Sequence, residues 1–325
     1  MPSPSLSLES LHAAIVDAHS ALRPAVAVTP LSYSARLSAK TGCEVYLKCE
    51  HLQHTGSFKF RGASNKLRLL PDEQRRRGVI TASSGNHGQG LALAGRMLGV
   101  PVTVYTTTTA SAYKLQAMHD LGAEVISLDL DPLSVEVQAA RYASEQGKPF
   151  VSPYNDWDIV AGQGTLGMEL HAQAPALDAV FVAVGGGGMI AGIGAALRTL
   201  APDVEVIGCW PANAPTLQRS LEAGQVIEVD EAPTLSDGTA GGVESDSITF
   251  PLCQQLVSRT VLVSEAQIKA AMREVASCER WIIEGAAAVA VAGMRQLAHA
   301  YQGKRVAVVL CGRNILLDKF LEAIA

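Results

Sequence analysis

The chain has 325 residues, 48% of them hydrophobic, which at roughly 150 residues per domain means about two domains and ample material for buried cores. Its 26 Lys and Arg against 31 Asp and Glu leave a net charge of −5, which argues against a generic nucleic-acid binder and gives no reason to expect an acidic membrane surface as partner. Charged residues are 18% and aromatics 5%, so the core falls to Ala, Val, Leu and Ile, and the 29 glycines are clustered.

Taken in chain order, the start to Pro30 has no basic cap before an apolar run, and Glu9 interrupts it, so no secretory signal is expected. Short β-rich runs then alternate with helical patterns. Strands are predicted at 44–48, 79–82, 102–105, 124–128, 179–184, 205–209 and 305–310. Helices are predicted at 57–70, 88–98, 111–121, 133–146, 162–174, 189–200, 214–223, 265–279, 285–300 and 315–324. Strands apolar throughout, alternating with helices, predict parallel sheets covered on both faces. The longest uncharged stretch, 179–197, could nominally span a bilayer, but six of its residues are glycine, and a strand, a loop and a buried helix explain it better. The six cysteines are scattered, with no Cys-x-x-Cys pair and no zinc-finger spacing, which reads as a reduced, cytoplasmic protein.

Two segments share one design of strand, glycine-rich turn and helix: Val79-Ile-Thr-Ala-Ser-Ser-Gly-Asn-His-Gly-Gln89 and Val180-Phe-Val-Ala-Val-Gly-Gly-Gly-Gly-Met-Ile190. Two such turns predict two sheets, each offering a helix N-terminus to a cleft between them, the usual ligand position in open α/β folds. At Gly185, Gly186, Gly187 and Gly188 the main-chain N–H groups can approach one anion, and the helix dipole favours a phosphate there over a turn without ligand. The Gly186-x-Gly188-x-x-Ala191 spacing also fits a dinucleotide fingerprint. The next strand, however, runs into Ile207-Gly-Cys-Trp-Pro211 with no acid at its tip, and no Gly-Lys-Ser/Thr ending marks a P-loop. A second landmark is Thr55-Gly-Ser-Phe-Lys59. A lysine at a helix start stands against the dipole, and Phe58 and Phe60 flank it, so Lys59 is expected to have a lowered pKa and a usable free amine rather than a surface charge. Ser57 is one residue too close for the Ser-x-x-Lys hydrolase pattern. A phosphate cradle plus an activated lysine is the minimum equipment for pyridoxal 5′-phosphate.

The motifs Ser57-Phe-Lys-Phe-Arg-Gly-Ala63, Ser83-Ser-Gly-Asn-His-Gly-Gln89, Ala161-Gly-Gln-Gly-Thr165, Gly185-Gly-Gly-Gly-Met-Ile-Ala-Gly192 and Leu310-Cys-Gly-Arg-Asn314 occur in that order. With them the chain resembles the fold-type II pyridoxal-phosphate enzymes, in the threonine/serine dehydratase and serine racemase branch, from about residue 20 to the end. The resemblance implies an α/β fold of the tryptophan synthase β-like kind: two open, twisted, mainly parallel sheets with helices on both faces and the cofactor in the cleft between domains. Residues 1–70 with 153–325 would form the large cofactor-binding domain and 71–152 a small substrate-side domain. Lys59 would bind the cofactor and take the substrate α-proton. Gly185, Gly186, Gly187, Gly188 and Met189 would hold the cofactor phosphate. Asn86 would bond the phenolic oxygen, Phe58 and Gly238 would lie against the ring, Glu284 would stand near it, and Cys311 would face the pyridine nitrogen. Ser83, Ser84, Gly85, Asn86 and His87 would bind the substrate carboxylate, and Ser84 matches the opposite-face acid/base of serine racemase.

The activity so implied is elimination of water and ammonia from a β-hydroxy-α-amino acid, with a racemase on the same fold as the alternative; a nucleotide-dependent dehydrogenase and a non-catalytic binding module are the rivals of other classes. Departures from the family pattern matter. Trp210 and Thr216 stand where relatives carry a Glu and an Asp for a divalent cation, so no metal is expected there. Thr106-Thr107 replaces Met-Pro, and Glu284-Gly285 replaces Glu-Pro. Tyr154 and Trp157 add aromatic surface, which reads either as packing at the domain junction or as a site for a bulky substrate such as phenylserine, with Tyr154 the substrate-side residue. The histidines other than His87, and Glu169 and Glu244, read as surface or structural. No regulatory domain follows Ala325, which implies no feedback control of the biosynthetic type. The resemblance is compatible with a homodimer acting on a small amino acid, with no nucleic acid and no membrane as partner.

Overall fold

The computed structural model describes residues 7–174 and 176–325. The first half of the chain runs α1 (Leu8–Leu22), β1 (Leu31–Tyr33), α2 (Ala35–Thr41), β2 (Glu44–Lys48), α3 (Lys59–Leu69), α4 (Asp72–Arg77), β3 (Val79–Ala82), α5 (Asn86–Leu98), β4 (Val102–Thr107), α6 (Ala112–Asp120), β5 (Glu124–Leu128) and α7 (Pro132–Glu145). The second half runs α8 (Trp157–Gln173), β6 (Ala179–Ala183), α9 (Gly188–Leu200), β7 (Glu205–Pro211), α10 (Thr216–Ala223), α11 (Thr249–Leu256), β8 (Arg259–Val263), α12 (Glu265–Glu279), α13 (Gly285–Leu297), β9 (Arg305–Val309) and α14 (Leu317–Ile324).

These strands make two sheets, as the two strand–turn–helix segments predict. One is six-stranded in the order β1-β2-β9-β6-β7-β8, parallel except for the antiparallel edge strand β1. The other is three-stranded and parallel, β3-β4-β5. The central strand β6, Ala-Val-Phe-Val-Ala, is buried along its whole length, as a strand covered on both faces must be. Sequence reasoning missed β1 and β8, which are the two edges of the larger sheet. It also missed α1, although the stripe of Leu11, Ile15, Ala18 and Leu22 is buried at helical spacing and Ser7 with Ser10 forms a capping box.

The glycine excess has a structural cause beyond turns. Helices α3, α8 and α9 pack backbone to backbone: a Cβ on Gly162 would lie 2.6 Å from the Gly62 Cα, and one on Gly192 would lie 2.6 Å from the Gly164 nitrogen. Helix α3 is thereby wedged between α8 and the α5 helix of the smaller sheet, and its Phe60, Ala63 and Leu67 join the smaller sheet's core. Beneath it lies a buried ionic network, which corrects the surface reading of Glu169. Arg61 Nη1 bonds Glu169 Oε1 at 2.7 Å, Arg61 Nε bonds Glu50 Oε2 at 2.8 Å, and Lys48 Nζ bonds Glu169 Oε2 at 2.6 Å. Burial pushes the Glu50 carboxyl up, but the Arg61 guanidinium outweighs it and holds the group below its ordinary range. Two cations against two carboxylates keep the network neutral, the condition for ions to survive there.

Candidate active site

A cavity of about 530 Å³ opens at the carboxyl ends of β3, β6 and β9, lined by Lys59, the turn after β3, the glycine loop after β6 and Cys311 after β9. This is where an open parallel sheet presents helix N-termini and loops to a ligand.

Lys59 opens α3, as predicted. The segment before it is pinned to the end of β9, since the Phe58 N–H donates to the Cys311 carbonyl at 3.1 Å and Ser57 bridges Gly312. Lys59 Nζ donates to the Pro153 carbonyl at 2.8 Å and sits 5.3 Å from the centre of the Phe58 ring. Burial lowers its pKa to about 8, against the opposing pull of Cys311, Glu284 and Glu136. The amine is therefore partly unprotonated near neutral pH.

After β3, the Ser83 hydroxyl accepts from the N–H groups of Gly85 at 3.2 Å and Gly88 at 3.0 Å. Among the described residues no acceptor reaches the N–H groups of Ser84, Asn86 or His87. Three free donors at the positive end of α5 make an anion-binding turn. The helix begins at Asn86 rather than 88, so Gly88 lies inside its first turn. A Cβ there would meet Met118 Sδ at 2.3 Å; Gly88 serves packing and is not part of the ligand surface. The Ser84 side chain is exposed in the cavity wall. His87 is buried and donates from Nε2 to the Val151 carbonyl at 3.2 Å, and burial lowers its pKa to about 3, so the ring stays neutral. Asn86 is fixed by its amide: Nδ2 donates to Glu284 Oε1 at 2.8 Å and Oδ1 accepts from Asn314 Nδ2 at 2.6 Å, leaving one amide hydrogen free.

After β6, the loop carbonyls are turned away from the cavity. Gly186 accepts from Thr249 Oγ1 at 2.5 Å and Gly187 from Cys253 Sγ at 3.9 Å. Gly187 takes a left-handed φ of +88°, as the turn into α9 requires. Among the described residues no acceptor reaches the N–H groups of Gly185, Gly186, Gly187, Gly188, Met189 or Ile190. Tyr154 covers this loop: a Cβ on Gly186 would lie 2.4 Å from the tyrosine Cγ, and its hydroxyl accepts from the Glu244 N–H at 3.2 Å. Trp157, by contrast, packs on the core of the larger sheet and stands outside the cavity wall.

Gly238 lines the cavity, with Ala286 Cβ 3.5 Å from where its own Cβ would be. Glu284 is buried. Burial and then Asp237 push its carboxyl up to about 7, against donors from Asn86 and from the Asn314 N–H at 3.0 Å. Burial also pushes the Cys311 thiol well above its ordinary value, so it is an uncharged group. Trp210 is buried in β7, and Thr216 Oγ1 donates to Glu231 Oε1 at 2.5 Å. Among the described residues no cluster of three or more His, Cys, Asp or Glu could hold a metal, and no helix is long and apolar enough to cross a membrane. Sequence reasoning missed Lys114 and Asp237, paired at 2.8 Å across the cavity mouth, and Glu136, which lines its wall. Lys114 and Glu136 come from helices with no motif of their own, and Asp237 directly precedes Gly238 in a Ser-Asp-Gly motif.

Residues 22–312 match the family model described as pyridoxal-phosphate dependent enzyme. The chain is 41% identical to an L-threonine ammonia-lyase of Thermotoga maritima, covering 95% of this chain and 77% of that one. It is 37% identical to an L-threo-3-hydroxyaspartate ammonia-lyase of a Pseudomonas species, covering 90% and 91%. Its fold matches the processed form of threonine deaminase isoform 2 from Solanum lycopersicum with a TM-score of 0.93 and 32% identity, over 99% of this chain and 89% of that one. With its two parallel sheets, its lysine at the start of a helix and its unpaired glycine-loop donors, the chain belongs to the fold-type II pyridoxal-phosphate enzymes, in the threonine/serine dehydratase branch.

Proposed function

We propose that this protein is a pyridoxal-phosphate-dependent ammonia-lyase that converts a β-hydroxy-α-amino acid of the threonine/serine type to a 2-oxo acid and ammonia by α,β-elimination of water. One observation carries the reading: the Lys59 amine, held near pKa 8, shares a single cavity with two separate sets of free main-chain donors. The cavity fits the cofactor. The larger donor set, at residues 185–190, suits a phosphate dianion, and its carbonyls are already satisfied elsewhere. The cofactor, when bound, supplies an electron sink that makes the α-proton of an amino acid removable.

The chain's own groups would do the rest. Lys59 would hold the cofactor, and its Nζ takes the α-proton. The N–H groups of Ser84, Asn86 and His87 orient the substrate carboxylate. The free amide hydrogen of Asn86 would serve the phenolic oxygen of the ring, and Phe58 and Gly238 would help hold the ring. Cys311, a protonated thiol, would serve the ring nitrogen without imposing a charge on it, and Glu284 holds Asn86 in place. We assign residues 1–70 and 153–325 to a cofactor-binding lobe and 71–152 to a substrate-side lobe; the strands of the two sheets divide at those bounds, whereas α3 packs on both lobes and makes the boundary at 70 the looser one.

Racemisation is the second reading, favoured by the exposed Ser84 hydroxyl in the same cavity as Lys59. Phenylserine lies within the substrate class, supported by the Tyr154 wall and not by Trp157. The test is ammonia and 2-oxo acid release from a panel of L-threonine, L-serine and L-phenylserine. Lys59→Ala should lower turnover by about a thousandfold or more, as expected when a proton-transfer group is removed. Undiminished turnover in that variant would overturn the assignment, and D-serine as the main product would favour the racemase.

A further inference from the structure

Relatives named for threonine and for 3-hydroxyaspartate stand at similar identity to this chain, so overall likeness does not choose between a neutral and an acidic substrate side chain. The charges around the cavity do. Its lining holds two basic side chains, and Lys114 is engaged by Asp237 at 2.8 Å. The other, Lys59, has its own part in the reaction. Against them stand Asp131, Glu136, Asp237 and Glu284. The two sets of free N–H groups are taken by the substrate α-carboxylate and the cofactor phosphate on the reading above. Nothing cationic in the lining is then left over for a second carboxylate.

Glu136 is the acid placed to matter. It lies in the first turns of α7, partly buried, and among the described residues no donor reaches its buried Oε1. Its carboxyl is in hydrogen-bond contact with that of Glu244, whose N–H donates to the Tyr154 hydroxyl and whose carboxylate takes a further bond from Asn155 Nδ2. Two carboxyls in contact must share a proton or repel. We infer that Glu136, backed by Glu244, sets the substrate class of this enzyme, admitting β-hydroxy amino acids with a neutral side chain and rejecting those that carry a side-chain carboxylate. The inference rests on the dehydratase reading.

The groups facing Glu136 fix how selectivity depends on pH. They are Glu244, Lys59 and Tyr154, with Asp246 behind Glu244. Burial and then Glu244 raise the Glu136 carboxyl to about 7, against Lys59. Below that pH Glu136 is neutral and rejection weakens; above it the pair gains a second negative charge and rejection strengthens. Effects on Lys59 are common to both substrates and cancel in a ratio.

The test is kcat/KM for L-threo-3-hydroxyaspartate divided by kcat/KM for L-threonine, measured on the holoenzyme from pH 6 to 8.5. In the unaltered protein the ratio should fall as pH rises through about 7. In Glu136→Gln it should be roughly tenfold higher at pH 8, the equivalent of one unit of pKa coupling, and should fall less steeply with pH, the remainder being due to Glu284. A ratio that is independent of pH in the unaltered protein, or unchanged in Glu136→Gln, overturns the inference. Glu136→Ala, which removes the same charge, gives the same readout where Glu136→Gln does not fold, and it separates Glu136 from Glu284, whose carboxyl in the same cavity is also raised to about 7. Absence of ammonia release from both substrates defeats the dehydratase reading instead, and is told apart because no ratio then exists.

Discussion

The cavity is built from two strand–turn–helix units that differ in how firmly they are held. The glycine loop after β6 follows a fully buried strand at the centre of the larger sheet. Thr249 and Cys253 capture two of its carbonyls, and Tyr154 packs on it. The turn after β3 stands on a sheet of three strands, and one hydroxyl, that of Ser83, organises two of its N–H groups. Six donors are fixed in the first and three in the looser second. A resident cofactor needs a site that does not change, whereas a substrate must enter, be gripped and leave. The difference in support matches that division of labour.

The comparison breaks first at Gly186. In Gly186→Ala the new methyl would meet the Tyr154 ring near its root, 2.4 Å from Cγ, where the side chain has little freedom to move. Overpacking of this kind costs about 1–3 kcal/mol, so cofactor affinity should fall by up to roughly a hundredfold, read by titrating cofactor-free protein. Adding Tyr154→Ala should recover most of the loss. If the single variant binds the cofactor normally, the glycine loop is not the rigid member of the pair.

Ser83→Ala tests the other turn. It removes the acceptor of the Gly85 and Gly88 N–H groups, in effect the cap of α5. Losing a cap costs about 1 kcal/mol, within a range of roughly 0.5–2. The expected result is a severalfold rise in KM for the amino acid with cofactor affinity unchanged, since the glycine loop does not depend on Ser83. A loss of cofactor binding as large as that in Gly186→Ala would show that the two units are one.

Both turns were legible in the sequence for a physical reason. Each brings main chain close to a ligand, which needs small residues in a short run after a strand, and such a run is visible without a structure. Lys59 was legible because a cation at a helix start opposes the dipole. What was not legible depends on distant partners. The pairing of Glu136 with Glu244, or of Lys114 with Asp237, leaves no local signal, because each joins segments more than a hundred residues apart in the chain. Gly88 is predicted to open α5 and proves to lie inside its first turn as a packing residue under Met118, since period and composition do not tell where a helix begins to within two residues. Glu169 reads as a surface charge because its partners, Lys48 and Arg61, are more than a hundred residues away in the chain. The edge strands β1 and β8 were missed because, with one neighbour each, they lack the continuous apolar run that marks β6.

The smallest expected effect sharpens the contrast most. A Cβ on Gly85 would find only the end of the Lys114 side chain, with Nζ at 3.8 Å and Cδ at 4.0 Å, which is ordinary contact with flexible atoms. Gly85→Ala should therefore change kcat/KM by less than about threefold, within the ±0.5 kcal/mol typical of substitutions that disturb no packing. Gly186→Ala, the same chemical change in the other unit, meets an aromatic ring at 2.4 Å. The same added methyl then distinguishes a turn with room around it from a loop without any. Equal losses in the two variants would mean that main-chain freedom, rather than packing, is what the glycines supply, and the contrast between the two units would have to be redrawn on the backbone alone.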